Sequence, residues 1–364
     1  MSLEIACLRA RDLAARWLLE SGIQEPSGGV ARYYRSDLRR NYRISTEITG
    51  YAAALLVWLH RQTADPRLLE AARRAGRFLI RQAWDSASGL FPFEYALDSE
   101  GAEPLAYFFD NAIVVRGLLA LWRATAEPEF LETAARCAAG MARDFRAPAG
   151  FHAALRLPEK EPAPADERWS RNPGCYHLKA AMAWRELEEV TGSSAFESCF
   201  EPALHYALET HRQFLPERVE AAAMDRLHAY CYFLEGLLVC SDRPACREAL
   251  REGIGRAGEL LEAVTPLFER CDVRAQLLRV RLFAEALGVA PLDPAEAERQ
   301  AARLLEFQSV EPDPRHYGGF RFGRKASRWL PFINPYSTAF AAQALDMWRA
   351  HRIGQFQPRW QELI

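Results

Sequence analysis

The sequence predicts an all-α protein: an (α/α)6 toroid in which six helical hairpins, spread over residues 1–364 as one domain, supply an inner and an outer ring of helices. Three observations carry that prediction. One plan recurs six times: a loop opening on Gly and aromatics, a cap, an apolar helix, a short turn, and a second helix with a one-sided stripe. Its closest copies, Ala64-Asp65-Pro66-Arg67-Leu68-Leu69-Glu70-Ala71-Ala72 and Ala126-Glu127-Pro128-Glu129-Phe130-Leu131-Glu132-Thr133-Ala134, stand 62 positions apart. That period is far longer than the roughly 34 residues of a helical solenoid unit. Finally, six long hairpins returning in series suggest closure, with the N-terminal ends of the inner helices around one bowl.

Taken in order, the inner helices are the segments apolar on nearly all sides, as a doubly packed helix must be. They are expected to begin near Thr46, Asp110, Pro173, Arg226, Asp272 and Pro335. Asn172-Pro173 and Asn334-Pro335 read as an Asn cap followed by Pro in the first turn, where its missing N–H is harmless. Asp110, Asp225 and Asp272 are capping candidates by the same logic. The outer helices are expected over 4–21, 66–84, 128–145, 196–214, 244–262 and 294–308. Leu68, Leu69, Ala72, Ala75 and Leu79 make one stripe at three-to-four spacing, and Phe130, Leu131, Ala134, Ala138 and Met141 make its equivalent. The first helix closes against the last hairpin. Inner-to-outer turns are short, whereas four outer-to-inner connections are long (22–45, 85–109, 146–172 and 309–334). Long loops in a compact fold are usually functional. The corresponding links 215–225 and 263–271 are shorter, so the bowl is expected to be walled on one side and open on the other.

Bulk composition narrows the function classes. Basic and acidic residues number 46 and 48, giving a net charge of −2 without charge blocks, which argues against a nucleic-acid partner. No apolar run reaches the roughly 18 residues of a membrane span. Charged residues from Glu4 onward break any leader-like stretch, so a cytoplasmic location is expected, with a removed leader as the alternative. Eight cysteines without regular spacing read as reduced, buried thiols. Nothing in the sequence names an oligomeric partner.

Six inner/outer pairs, Gly-aromatic loops such as Gly28-Gly29-Val30-Ala31-Arg32-Tyr33-Tyr34 and Gly318-Gly319-Phe320-Arg321-Phe322, and polar inner-helix starts together resemble the six-hairpin glycosidase-like superfamily. The resemblance covers the whole chain and is architectural. It implies a carbohydrate-active protein, since members include glycoside hydrolases, uronyl hydrolases, sugar 2-epimerases and polysaccharide lyases. No catalytic string carries over. His228-Ala229-Tyr230 followed by Gly236-Leu237-Leu238 is also similar to helix starts in cyclase- and prenyltransferase-type toroids, and fold alone does not choose between these chemistries.

Candidate site residues are those at inner-helix starts and on the long loops. Hydrolysis needs two carboxyl groups flanking a bond. Glu47 and Asp110, at matching levels of adjacent inner helices, are the candidate acid/base pair. Glu47 is a poor cap with Ser45 and Thr46 beside it, so its place in an apolar helix start calls for another reason. Substrate-binding candidates are Tyr34, Arg35, Arg39, Tyr95, Asn111, Trp169, His177, Asp225, His228, Asp272, Arg321, Trp329 and Tyr336, a mixture of aromatic platforms and hydrogen-bonding groups suited to sugars. Arg32, Arg35, Arg39, Arg40 and Arg43 crowd one loop, with Arg321, Arg324 and Arg328 in another. Guanidinium pairs with carboxylate, so an anionic, uronate-containing oligosaccharide is the expected ligand unless these arginines pair with Asp37, Glu25 and neighbouring acids.

Other readings stay open. Cys175, His177, His228, Cys231 and Cys271 contain zinc-ligand types, and a zinc-dependent cyclase-like toroid using Cys175, His228, Cys231 and Cys271 is the enzymatic alternative, but the spacing is not that of a zinc site and no metal is expected. His177 and His228 suit proton transfer at a sugar carbon, as in epimerisation. No phosphate loop, nucleotide fingerprint or nucleophile elbow is present, so no cofactor is expected. A glycan-binding protein without catalysis is the non-enzymatic alternative.

Overall fold

The computed structural model describes residues 2–94 and 104–364, which hold twelve α-helices. They are α1 (Leu3–Glu20), α2 (Thr46–Thr63), α3 (Pro66–Phe78), α4 (Phe108–Thr125), α5 (Pro128–Asp144), α6 (His177–Thr191), α7 (Glu197–Phe214), α8 (Ala223–Leu237), α9 (Pro244–Val264), α10 (Cys271–Ala286), α11 (Pro294–Leu305) and α12 (Pro335–Arg352). The apolar stripes therefore locate every outer helix to within a few residues. The longer segment expected after Pro66 is explained by a π-helical turn, Leu79–Ala83, that continues α3.

The sequence copies around Ala64 and Ala126 have a physical explanation. Each Ala takes the left-handed conformation that ends an inner helix (φ 57° and 56°), and the Pro two residues on opens the outer helix. The acid between them differs in role. Asp65 caps α3 through the Arg67 N–H, whereas Glu127 leaves α5 uncapped and pairs with Arg73 at 2.7 Å.

Other expected caps are corrected. Asn334 does cap α12, accepting the Ser337 N–H at 2.9 Å. Asn172 does not cap α6, which starts at His177. Its amide instead donates to the carbonyls of Asp166 and Arg168, closing a 3-10 turn at Trp169–Arg171. Asp110, Asp225 and Asp272 sit inside the first turns of α4, α8 and α10 and cap none of them.

The chain folds as two compact units. One comprises residues 24–32 and 42–210; the other comprises 1–23, 33–41 and 211–364. In the first, α2, α4 and α6 pack side by side, with α3 and α5 behind them. In the second, α8, α10 and α12 pack side by side, backed by α9 and α11. Here α1 lies against α11 and α12, as expected of a first helix that closes on the last hairpin.

The long connections carry short strands: β1 (Tyr34–Arg35), β2 (Arg40–Asn41), β3 (Leu105–Tyr107), β4 (Ala154–Arg156), β5 (Glu161–Pro162), β6 (Phe268–Arg270), β7 (Gly323–Lys325), β8 (Arg328–Trp329) and β9 (Phe332–Ile333). They form three antiparallel sheets ordered β2-β1-β9, β3-β4-β5 and β6-β7-β8. Strands of two or three residues show no alternation, so the sequence pattern could not reveal them.

Each unit contains one Gly-Gly loop built on the same plan. Gly28 and Gly318 both have φ above 90°, and a Cβ at either would strike a backbone carbonyl, of Arg74 or of Leu13. Two residues on, the Val30 and Phe320 N–H groups each donate to a threonine hydroxyl (Thr49 and Thr338) at 3.0 Å. Gln24 and Gln308 likewise tie down the Gly28 and Gly318 carbonyls. No helix among the described residues is long and apolar enough to cross a membrane.

Candidate functional site

In the unit containing α2, α4 and α6, nearly every polar group at the start of α2 is engaged by backbone. Ser45 accepts the Ile48 N–H, Thr46 donates to the Pro92 carbonyl at 2.8 Å, and Thr49 takes the Val30 N–H while donating to Ser45. Glu47 takes part in none of these bonds. Its partner helix is placed by two glycines. A Cβ on Gly50 would lie 2.9 Å from Val114 Cα, and one on Gly117 would lie 2.5 Å from the Gly50 carbonyl oxygen, so α2 and α4 meet backbone to backbone. Glu47 is one turn before Gly50 and Asp110 one turn before Val114. Residues three or four apart share a helix face, so this crossing sets the two carboxyl groups against each other.

Their electrostatics follow from that setting. Burial raises the Asp110 pKa well above the usual carboxylate value, and the Glu47 charge raises it further against the opposing pull of Arg32. Burial likewise pushes Glu47 up to about 7, with Arg32 again opposing. Asp110 is 7% exposed, and its Oδ2 has no hydrogen-bond partner. Two adjacent carboxyl groups with one shared cation favour holding a proton between them near neutrality. Arg32 lies over Phe93 at 5.1 Å and 3.7 Å from Glu94, which also accepts Arg43 at 2.7 Å.

Aromatic rings line the neighbouring helix starts. Tyr107 precedes α4 and carries the Arg171 guanidinium over its ring at 5.6 Å. Trp169 is edge-on to Tyr176 at 5.0 Å, and His177 is edge-on to Tyr176 and Phe108 at 4.5 and 5.0 Å. Burial lowers the His177 pKa to about 3, so its ring is neutral, and neither ring nitrogen has a partner. Asn111, a binding candidate on the sequence, proves to be a fastening: its amide pairs with the Phe91 backbone on both sides and donates to the Tyr107 carbonyl. Tyr95 lies outside the described residues.

In the other unit a second cluster stands at the starts of α8 and α10. Asp272, fully buried, accepts Arg270 Nη2 at 2.5 Å and lies 3.0 Å from His228 Nδ1, which also faces Gln276 Oε1 at 2.8 Å. Two oxygens facing Nδ1 place the ring proton there. Burial alone would raise the Asp272 pKa, but Arg270 and His228 hold it well below the usual carboxylate range. Arg270 also reaches Asp225 at 2.6 Å, and Tyr336 stands 6.3 Å from the His228 ring. Arg270 and Gln276 organise this group. Nothing in the sequence sets either apart: Arg270 lies just ahead of α10 and Gln276 inside its first turns.

Most of the remaining candidates in this unit are engaged by protein groups. Tyr34 is buried, edge-on to His316 and covered by Arg315. Arg35 pairs with Asp37, and Arg321 with Glu311. Trp329 lies beneath the guanidinium groups of Arg321 and Arg324 at 5.1 and 5.0 Å. Arg39 is largely exposed, with Asp313 at 4.0 Å. Pairing with neighbouring acids, the alternative for these arginines, is therefore what the structure contains. No group of three or more His, Cys, Asp or Glu side chains among the described residues is arranged to hold a metal ion.

No known family model matches the chain, and no curated protein does. Solved structures do. A sugar epimerase from a ruminal bacterium superposes with a TM-score of 0.71 at 11% identity, covering 95% of this chain and 98% of its own. Cellobiose 2-epimerase from Spirochaeta thermophila gives 0.70 at 14% identity, covering 97% and 100%. An unsaturated glucuronyl hydrolase from a Bacillus species gives 0.65 at 13% identity, covering 93% and 96%. The chain shares with these structures the all-α, (α/α)6 toroid fold.

Proposed function

We propose that the chain is a carbohydrate-active enzyme of the glycoside hydrolase or lyase type, with Glu47 and Asp110 as its acid/base pair and an anionic oligosaccharide as its substrate. One observation carries this reading: two carboxyl groups on neighbouring helices, both raised in pKa, held together by a close helix crossing and opposed by a single arginine. A carboxyl group kept protonated near neutrality can give a proton to a leaving glycosidic oxygen, while its ionised neighbour stabilises positive charge at the sugar or accepts a proton. Trp169, partly exposed beside the start of α6, offers an apolar face to a sugar ring. The solved structures named above include enzymes that act on sugars, in keeping with this reading.

A second reading rests on His228. Its Nδ1 is held by Asp272 and Gln276, the arrangement that orients an imidazole for proton transfer, and two of the similar structures are described as epimerases. Product analysis separates the two. The full chain is incubated with neutral and unsaturated-uronyl disaccharides, and the products are resolved by anion-exchange chromatography. Cleavage that disappears in Glu47→Gln and Asp110→Asn supports the carboxyl pair. Epimerised but uncleaved disaccharide, lost in His228→Ala, overturns it in favour of the imidazole.

A further inference from the structure

Around the start of α4, buried polar groups are left unpaired. Asp110 Oδ2, Arg171 Nε and both ring nitrogens of His177 are out of water with no hydrogen-bond partner, although buried polar groups in folded proteins are almost always satisfied. Asp110 and Arg171 belong to one neighbourhood, joined by Tyr107. Tyr107 carries the Arg171 guanidinium and feels the charges of both Arg171 and Asp110. Phe108, the next residue, touches the His177 ring, and Trp169 shares the Arg171 turn.

Arg171 also differs from most of the arginines singled out in the sequence. Arg35, Arg43 and Arg321 each pair with a carboxylate, as does Arg168, which takes Asp166 in the same loop. Arg171 makes no ion pair with any described residue. It is a partly exposed cation, laid flat on a tyrosine, with one N–H turned away from water. A guanidinium so placed is pre-organised for a planar anion.

We propose that Arg171, on its Tyr107 platform, is the specificity residue of this cluster, taking the carboxylate of a uronic sugar presented to Asp110. The proposal rests on Glu47 and Asp110 being the working pair, and it names the sugar they meet. A protonated Asp110 can donate without repelling the sugar carboxylate.

The test is binding of D-glucuronate and D-glucose to the intact chain at pH 7 by calorimetry, in the wild type, Arg171→Gln and Arg171→Lys, with melting temperatures confirming the fold. The wild type should bind glucuronate at least about tenfold tighter than glucose. Arg171→Gln should bring the two to parity by weakening glucuronate alone, and Arg171→Lys should keep part of the preference because the charge stays while the planar fork is lost. Equal binding of the two sugars by the wild type, or a preference that survives Arg171→Gln, overturns the proposal. Its fate is separable from that of the carboxyl pair. A neutral disaccharide cleaved in a Glu47-dependent way, with no glucuronate preference, removes only the role of Arg171. A preference lost in Arg171→Gln in a chain that cleaves nothing removes only the pair.

Discussion

The two units each place carboxyl groups at helix starts and give them opposite surroundings. Asp272 is matched: a guanidinium and an imidazole neutralise it, Gln276 holds that imidazole, and its pKa falls. Glu47 and Asp110 are mismatched: two acids share Arg32, an Asp110 oxygen is left without a partner, and both pKa values rise. The helix packing differs in the same way. Gly50 and Gly117 let α2 and α4 meet backbone to backbone, whereas α10 and α12 meet through Arg279, which reaches Gln343 at 2.8 Å and pairs with Glu235 of α8. A charge-matched cluster stabilises its fold, although Gln276 Nε2 within it is buried without a partner. A charge-mismatched one persists at a cost to stability, the usual signature of a functional site.

The largest effect expected from this contrast is on turnover. Glu47→Gln and Asp110→Asn should each lower kcat/KM by about 10³-fold, roughly 4 kcal/mol, on whichever saccharide the wild type transforms. Both variants should remain folded by circular dichroism. Full activity in either would dissolve the contrast, leaving the pair as two awkward but idle acids.

Next in size is the matched cluster. Asp272→Ala strands the buried Arg270 guanidinium and should lower unfolding free energy by about 3–4 kcal/mol in urea titrations. A loss below about 1 kcal/mol would show that Arg270 simply turns to Asp225, which it already contacts. The helix crossing comes third. Gly50→Ala forces a methyl group to within 2.9 Å of Val114 Cα, and overpacking of this kind costs about 1–3 kcal/mol. Because the same crossing positions Glu47 against Asp110, activity should fall further than stability alone explains. Unchanged turnover in a destabilised Gly50→Ala would detach the acid pair from the crossing.

Much of this is legible in the sequence, for reasons particular residues make plain. Outer helices announce themselves because one-sided stripes such as Leu68-Ala72-Ala75 must face a core, and Pro66, Pro128, Pro244 and Pro294 mark where they begin. Glu47 stands out because Ser45 is there to cap the helix, and the structure puts Ser45 to that use. The arginines mislead because carboxylate partners lie close in sequence or space, Asp37 for Arg35 and Glu311 for Arg321, and a composition count cannot see pairing. Asn111 misleads because a buried amide that fastens a loop and one that binds a sugar look the same in one dimension. Arg171 and Tyr107 escape notice because a short strand and a 3-10 turn, neither of which the pattern reveals, bring them together. Gly50 and Gly117, two glycines in otherwise apolar helices, are the available signal of a close crossing.

The smallest effect is also the most diagnostic, because it concerns stability alone. Glu47 has an ordinary pKa of 4.5 in the unfolded chain and about 7 in the fold. Between those values the folded state holds more protons than the unfolded state, so unfolding free energy falls as pH rises through that window. The stabilising proton is fully present below about pH 4.5 and is lost as pH rises through about 7. The raised pKa of Asp110 extends the same slope, with the same sign. Asp272, with its depressed pKa, acts in the opposite direction and weakens the fold only as acid is added. Glu47→Gln removes one titrating acid from the mismatched pair and should therefore stabilise the fold at pH 8 by about 1–3 kcal/mol, with little change at about pH 4.5. An enzyme that becomes more stable as it becomes inactive is what a strained acid pair predicts. If Glu47→Gln is equally stable at both pH values, the carboxyl groups are not opposed in the fold, and the proposed acid/base role loses its physical basis.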